Sequence, residues 1–457
     1  MAKKKKGIWR IVDNFQGDKI IWMIVLLLIT FSILAISSST PLLALQTGST
    51  RSAIINKQII IAVLGLGIII LLYNFLKNIK LLQKCSQLGF VFSFAMLFCL
   101  AIKIHTPVLW AEEINGAVRT LRIIGIPFQL HVFEFVKLLM VLYIAWACQT
   151  YKENGFSFAK KLARYPHFAF LKKKGWQLIF YIIAPTLIVT AMILMGSTSS
   201  AVFIGAVMII TILIGGVVNF REGLPVILAG IALIAVCVGL SFLTNGQLFP
   251  RIKTAASRIS MSSGSKEERL IQKLGTLEFQ EELDKDKQPI SAKVAVSEGG
   301  FFGKGPGGST QRYVVPVMFE DYMFSFLVEE YGIPGALLVI ILYSTLLARG
   351  SIIVKNCTTL FSKVVVAGLI ITISGQAMLH MLVNVGIIPL TGQTLPMISH
   401  GAGSFIAFSF SFGIILSISR MVKKKVDKDV AQIKPIIEVR DDVKDGLNDL
   451  DQLEALD

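Results

Sequence analysis

Ten apolar runs of about twenty residues, separated by short charged stretches, constrain this 457-residue chain more than any other feature. An α-helix needs ~20 consecutive apolar residues to cross the hydrocarbon core of a bilayer. The runs lie at 20–38, 57–76, 86–104, 132–149, 177–195, 200–219, 223–243, 322–347, 362–384 and 402–421. A soluble domain could not bury so much apolar surface: 54% of the residues are hydrophobic and the mean hydropathy is +0.69. The expected fold is an all-α polytopic membrane protein with about ten transmembrane helices.

Charge sets the expected orientation. If the N-terminus is cytoplasmic, so are Lys77, Lys80 and Lys84, the run from Lys160 to Lys174, Arg221, the group Arg349, Lys355 and Lys363, and Lys423 to Lys425. Every strongly basic short loop then lies inside, as the positive-inside rule demands. The net charge of +16 is assigned to anionic headgroups and topology, because no basic-aromatic pattern for nucleic acid appears. The five cysteines form no Cys-x-x-Cys motif and sit in apolar or cytoplasmic segments, which argues against disulfides and zinc. Lys3 to Lys6 precede a first apolar run with no small-residue cleavage site, so that run is read as a retained helix.

Three regions follow. Residues 1–19 form a basic cytoplasmic N-terminus. Residues 20–421 form the membrane domain, with a smaller outer loop at 105–131 and a large one at 244–321 between helices 7 and 8. Residues 422–457 form a charged, aromatic-poor cytoplasmic tail, expected to be disordered.

Chemistry concentrates in three segments. Residues 293–335 carry glycines at 299, 300, 303, 305, 307 and 308, flanked by Lys304 and Arg312. Successive N–H groups in such a stretch can cradle an anion; an ordinary flexible connection is the competing reading. Glu320 and Asp321 stand where the chain re-enters the membrane, with Glu329 and Glu330 about two turns on. Carboxylates at such depth mark either a functional site or ion pairs with Lys304, Arg312, Arg251 or Arg258. Burial and a like-charged neighbour would raise a carboxyl's pKa toward the range of a general base.

The second segment, 115–137, holds Arg119, Arg122 and an i,i+3 pair, Glu134 and Lys137, inside the fourth helix. The pair either neutralises itself or lines a charged cavity. The third, PLTGQTLPMISHGAGS at 389–404, is either an outer loop or a re-entrant segment closing a cavity. His400 there reads as a polar contact, since no second ligand is spaced to help it hold a metal.

Together these segments resemble the SEDS family of cell-wall glycosyltransferases (FtsW, RodA, SpoVE) from about residue 15 to 421. The resemblance rests on Gly299-Gly300, GKGPGGSTQ at 303–311, Pro316, Asp321-Tyr322, EEYGIPG at 329–335, PLTGQTLPMIS at 389–399 and NGA at 115–117 with Arg119. It implies a peptidoglycan glycosyltransferase that polymerises lipid II on the outer face of the cytoplasmic membrane and releases undecaprenyl diphosphate. It casts Asp321 as general base for the acceptor 4-hydroxyl. Substrate-binding roles are expected for Arg119, Glu134, Lys137, Gly300, Lys304, Gly305, Ser309, Gln311, Glu329, Glu330, Thr391, Gln393 and Ser399. No metal ligands are assigned, although a divalent cation such as Mg2+ is a conceivable cofactor. The implied partners are lipid II, undecaprenyl-linked glycan, a class B penicillin-binding transpeptidase and other division proteins, with no nucleic acid. The FtsW-like division branch, at the septum, is favoured over a RodA-like elongation role.

The chain departs from the family pattern at four places. Thr120 stands where Trp is usual, and LHVFE, Leu130 to Phe133 with Glu134, stands where Gln-Pro-Ser-Glu is usual, leaving Gln129 without a secure role. Ser197 lies where an Asp-Gly-Thr is usual, and Ala402 interrupts a Gly-Gly pair. A lipid II flippase and a non-catalytic division scaffold are the competing functions; a scaffold would tolerate Asn at 321, and an enzyme would not.

Overall fold

The computed structural model describes residues 17–114, 117–125, 129–153, 155–218, 277–315 and 318–423. It is mostly helical. Among the described residues seven helices are long and apolar enough to cross a membrane: α1 (Lys19–Ser39), α2 (Arg51–Phe75), α5 (Val132–Glu153), α6 (Lys174–Gly196), α9 (Met323–Asn356), α10 (Leu360–Asn384) and α11 (Ala402–Lys423). An eighth span is formed if α3 (Ile79–Ser86) and α4 (Gly89–Ala101), bent by 42° at their junction, are counted as one. The expected span at 200–219 is the shorter α7 (Thr198–Ile214). The expected span at 223–243 lies outside the described residues, as do the two terminal regions at 1–16 and 424–457.

Helices α5 and α11 occupy the middle of the bundle. Their apolar windows are 78% and 83% buried, whereas those of α2, α6 and α9 are 33% buried and leave an apolar face for lipid. This is why α5 can carry Glu134 and Lys137: both point into protein. Phe361 N donates to Gln149 Oε1 (2.8 Å) and Arg349 reaches Asp18, so the end of α5, the join of α9 and α10 and the start of α1 lie at one end of the bundle. At that end Asp18 caps α1, accepting from Ile20 N (3.0 Å) and Ile21 N (3.2 Å). Its other oxygen takes Arg349 Nε (2.9 Å) and Nη2 (2.5 Å), and its own N–H donates to Ser419 Oγ (2.8 Å). One aspartate thus ties α1, α9 and α11 together.

Breaks within the spans are satisfied by specific partners. Pro185 has no N–H to give the Tyr181 carbonyl, and a π turn (Ile179–Ile183) precedes it. Tyr143 Oη donates to that carbonyl instead (2.8 Å).

The opposite end departs from the purely helical expectation. The smaller loop folds into an antiparallel sheet, β1 (Leu109–Ile114), β2 (Ala117–Ile123) and β3 (Leu130–His131), in the order β1-β2-β3. Arg122 pairs with Trp110, and Thr120 with both Glu112 and His131. In β2 the neighbours Thr120 and Leu121, which point to opposite faces, are both buried, so the middle of the strand is covered on both sides. Within the large loop, residues 277–299 form α8 (Leu277–Gly299), which packs along α9.

Candidate active site

The sheet end brings the sequence-selected residues into two separate groups. The first is a clamp built on a broken helix. Gly332 sits at φ +63° inside α9 and breaks it there. A side chain at this position would run into the main chain of Phe301 and Gly303, so the break requires glycine. Ile333 N turns away from the helix and donates to Phe301 O (3.0 Å), while Pro334 has no N–H to donate. The carbonyls of Glu329 and Glu330 are therefore released from the helical ladder. Lys304 N (2.8 Å) and Gly305 N (2.9 Å) take their place as donors. The glycine-rich turn is in this way a cap on the break in α9.

The side chains of the same two glutamates complete the clamp. Glu329, fully buried, accepts from Lys304 Nζ (2.9 Å), Ser309 Oγ (2.6 Å), Thr310 N (2.8 Å), Thr310 Oγ1 (3.0 Å) and Gln311 N (3.3 Å). Lys304 also pairs with Glu298 at the end of α8. Glu330, equally buried, accepts from Gly307 N (2.9 Å) and from Ser38 Oγ (2.5 Å) of α1, with Arg312 Nη1 at 3.8 Å. Arg312 Nη1 donates to Ser38 O (3.0 Å) as well. The structure thus places Lys304, Ser309 and Gln311 as partners of Glu329, while Glu330 is held by Ser38, Gly307 and Arg312. Of the glycines, Gly300 has φ +52° with open space where a side chain would point, and Gly305 supplies its N–H to Glu330 O.

The second group surrounds Asp321. The turn at 318–322 is held by its main chain: Asn384 Nδ2 donates to Asp321 O (3.0 Å), Ser399 Oγ to Glu320 O (2.8 Å) and His400 N to Phe319 O (2.8 Å). Just beyond it, Ser325 N donates to Asn384 Oδ1 (2.9 Å). Opposite stands Gly392 at φ +62°, where a Cβ would lie 3.8 Å from Asp321 Oδ2 and 3.9 Å from Arg119 Nη1. The carboxylate and the guanidinium, far apart in the chain, thus flank one stretch of glycine backbone.

The segment 389–401 is fixed on all sides, as irregular backbone within a bundle must be. Ser199 Oγ donates to Thr391 O (2.7 Å), Gln393 Nε2 to Ser200 Oγ (2.8 Å) and Gln376 Nε2 to Thr394 O (3.0 Å). His380 Nδ1 meets Gln393 O (2.7 Å), Leu395 N donates to Ser399 Oγ (2.9 Å), and Tyr343 Oη donates to Pro396 O (2.5 Å). Beneath it Lys137 Nζ donates to Glu134 Oε1 (2.7 Å), to Gln376 Oε1, and to Gln393 Oε1 (3.4 Å). Glu134 and Lys137 do pair with each other, and the lysine also reaches Gln393 of the 389–401 segment. Thr120 Oγ1, Glu134 Oε2 and Thr391 Oγ1 are buried with no hydrogen-bond partner among the described residues, so polar capacity remains there.

Beside this group lies a cavity of about 300 Å³. Lys57, Arg122, Gln129, His131, Glu320 and His400 line it. Sequence alone does not single out Lys57, which looks like the polar start of an apolar run. The strand alternation that turns Arg122 away from Arg119 is legible only once 117–123 is known to be a strand. Burial, with Asp321 next in the chain, pushes the Glu320 carboxyl up to about 8. Burial and nearby Lys57 push the His400 imidazole down to about 4. Among the described residues no group of three or more His, Cys, Asp or Glu side chains could hold a metal ion.

The fold and site define a class: a polytopic helical membrane protein that holds a carboxylate and a guanidinium together at one end of its bundle. The family described as Cell cycle protein (FtsW, RodA, SpoVE) matches residues 18–424, and the chain belongs to that family. It is 27% identical over 429 residues to the probable peptidoglycan glycosyltransferase FtsW of Enterococcus hirae, covering 92% of this chain and 97% of that one. Over 143 residues it is 36% identical to the stage V sporulation protein E of Bacillus subtilis, covering 31% and 39%. Its fold is similar to a chain solved in work on the structural coordination of polymerization and crosslinking by a peptidoglycan synthase complex. The TM-score is 0.60 at 22% identity, covering 89% and 98%. It is also similar to the rod shape determining protein RodA of Thermus thermophilus, with a TM-score of 0.52 at 18% identity, covering 88% and 97%.

Proposed function

We propose that this chain is a peptidoglycan glycosyltransferase that polymerises lipid II on the outer face of the cytoplasmic membrane. The observation that carries the reading is the convergence of Asp321 and Arg119 on the backbone of Gly392. Asp321 acts as the general base: a carboxylate oxygen takes the proton of the acceptor 4-hydroxyl as that oxygen attacks the anomeric carbon of the donor. The new glycosidic C–O bond forms as the bond to undecaprenyl diphosphate breaks, and the leaving group departs with the electron pair. Arg119 stabilises the charge that develops on the leaving diphosphate. Lys137, held against Glu134, Gln376 and Gln393, sets the position of the re-entrant segment that carries Gly392.

The family relatives named as glycosyltransferases support the reaction class. A class B penicillin-binding transpeptidase is the proposed partner, supported by the similarity to a chain of a peptidoglycan synthase complex. Division at the septum is the proposed setting. The test is glycan polymer on a gel from purified protein, with and without the transpeptidase, given lipid II. Polymer from the pair supports the reading. A folded complex that moves lipid II across vesicles without polymerising it would leave a flippase as the better account.

A further inference from the structure

The cavity beside Asp321 has a charge balance that its own side chains do not close. Lys57, from α2, makes no hydrogen bond or ion pair among the described residues, and it stands close enough to His400 to depress that ring's basicity. Arg122 lies over the Trp110 ring, 5.3 Å from its centroid, and has no carboxylate partner among the described residues. Glu320 is the only acidic side chain among the described residues of the lining. It is protonated at neutral pH, because burial and Asp321 push its pKa up to about 8. Both lining imidazoles are neutral: burial, Arg119 and Lys137 lower His131 against the opposing pull of Glu134, and burial and Lys57 lower His400. Two cations therefore line a polar cavity whose own lining carries no ionised carboxylate; the nearby Glu112, outside the lining, is engaged by Gln129 Nε2 (2.6 Å), and two cations against one such carboxylate leave room for an anion.

Arg122 lines this cavity, and Arg119 is directed to the other face of the same strand. Residues 119 and 122 differ by an odd number along β2, so they stand on opposite faces of the strand. His131, paired with Thr120, shares the Arg122 face. Joining two lipid-linked saccharides brings two diphosphates to one base. We infer that the Lys57–Arg122 cavity is a second anion subsite, which holds the diphosphate of whichever lipid-linked substrate is not held by Arg119. This rests on the glycosyltransferase reading for its ligand but not for its test, which requires no turnover.

The full chain in nanodiscs would be titrated with undecaprenyl diphosphate, with undecaprenol and phosphatidylglycerol as comparators, and binding followed by native mass spectrometry. Wild type should prefer the diphosphate over undecaprenol, and phosphatidylglycerol should not compete. Lys57→Gln with Arg122→Gln should weaken diphosphate binding at least tenfold at an unchanged unfolding temperature, while Lys57→Arg should retain most of it. If the double variant does not fold, each single substitution should still weaken binding severalfold. Binding unchanged in the folded variants would overturn the subsite. Equal competition by phosphatidylglycerol would also overturn it, since the cavity would then be a phospholipid headgroup site.

Discussion

The glycine-rich turn and the cavity beside Asp321 are built from the same kinds of residue, yet they differ in what is left over. In the turn, Glu329 alone gathers five donor contacts, and Lys304 and Arg312 both have carboxylates within reach. Around Asp321 the main chain is saturated, while Lys57, Arg122 and Glu320 face open space. A buried charge with a full set of donors, as at Glu329, holds a structure in one arrangement, although Glu330 Oε2 and Arg312 Nε of the same turn are buried with no hydrogen-bond partner among the described residues. On the proposed reading the turn supports the site, and the cavity is part of it.

Substitutions can break this contrast. The largest effect is expected at the clamp. Glu329→Ala removes the acceptor for five contacts and leaves Lys304 with Glu298 alone, so it should destabilise by about 3–5 kcal/mol. Thermal unfolding in detergent would show it, and an unchanged midpoint would mean the clamp does not support the bundle. Gly332→Ala forces a side chain into left-handed backbone against Phe301 O, with an expected loss of about 1–3 kcal/mol. Activity per folded molecule should survive both changes better than stability does.

The smallest effect concerns pH. A carboxyl raised to about 8 is neutral below that value and ionised above it. Diphosphate binding should therefore weaken as pH rises through 8, by roughly 0.5–1 kcal/mol for one added charge in a wet cavity. The groups facing Glu320 are Asp321 in its own turn, Lys57 from α2, Arg122 and His131 from the sheet, and His400 ahead of α11. None of the imidazoles changes charge in that window, since His400 titrates near 4 and His131 is also lowered. Glu320→Gln should flatten the profile between about pH 7 and 9, the window around the raised carboxyl; a profile that persists in that variant assigns the titration elsewhere.

The sequence made the membrane helices legible because hydropathy over twenty residues is a strong signal, and the described spans fall where apolar runs predicted them. It read the outer loops less well. The sheet at 109–131 has short strands interrupted by a bulge between Glu112 and Glu113, and α8 contains Pro289 and little amphipathic pattern. The carboxylates show the deeper limit. Glu329 and Glu330 could be read as substrate ligands or as ion pairs, and composition cannot separate the two, because the difference lies in donors from residues 304–311 and from Ser38. The pair Asp321 and Arg119 could be brought together only through the family resemblance. Lys57 carried no signal, being one cation at the head of an apolar run.

The most direct test sets Asp321→Asn beside Glu329→Gln in the complex with its transpeptidase. Lipid II polymerisation and thermal unfolding would be measured on the same preparations. The account predicts that Asp321→Asn loses glycan polymer by roughly a thousandfold or more, as removal of a general base allows, while its unfolding midpoint stays at the wild-type value. Glu329→Gln should lower the midpoint and retain polymer in proportion to the folded fraction. Polymer from Asp321→Asn at the wild-type level would contradict the assignment of the base and, with it, the division between supporting clamp and reacting site.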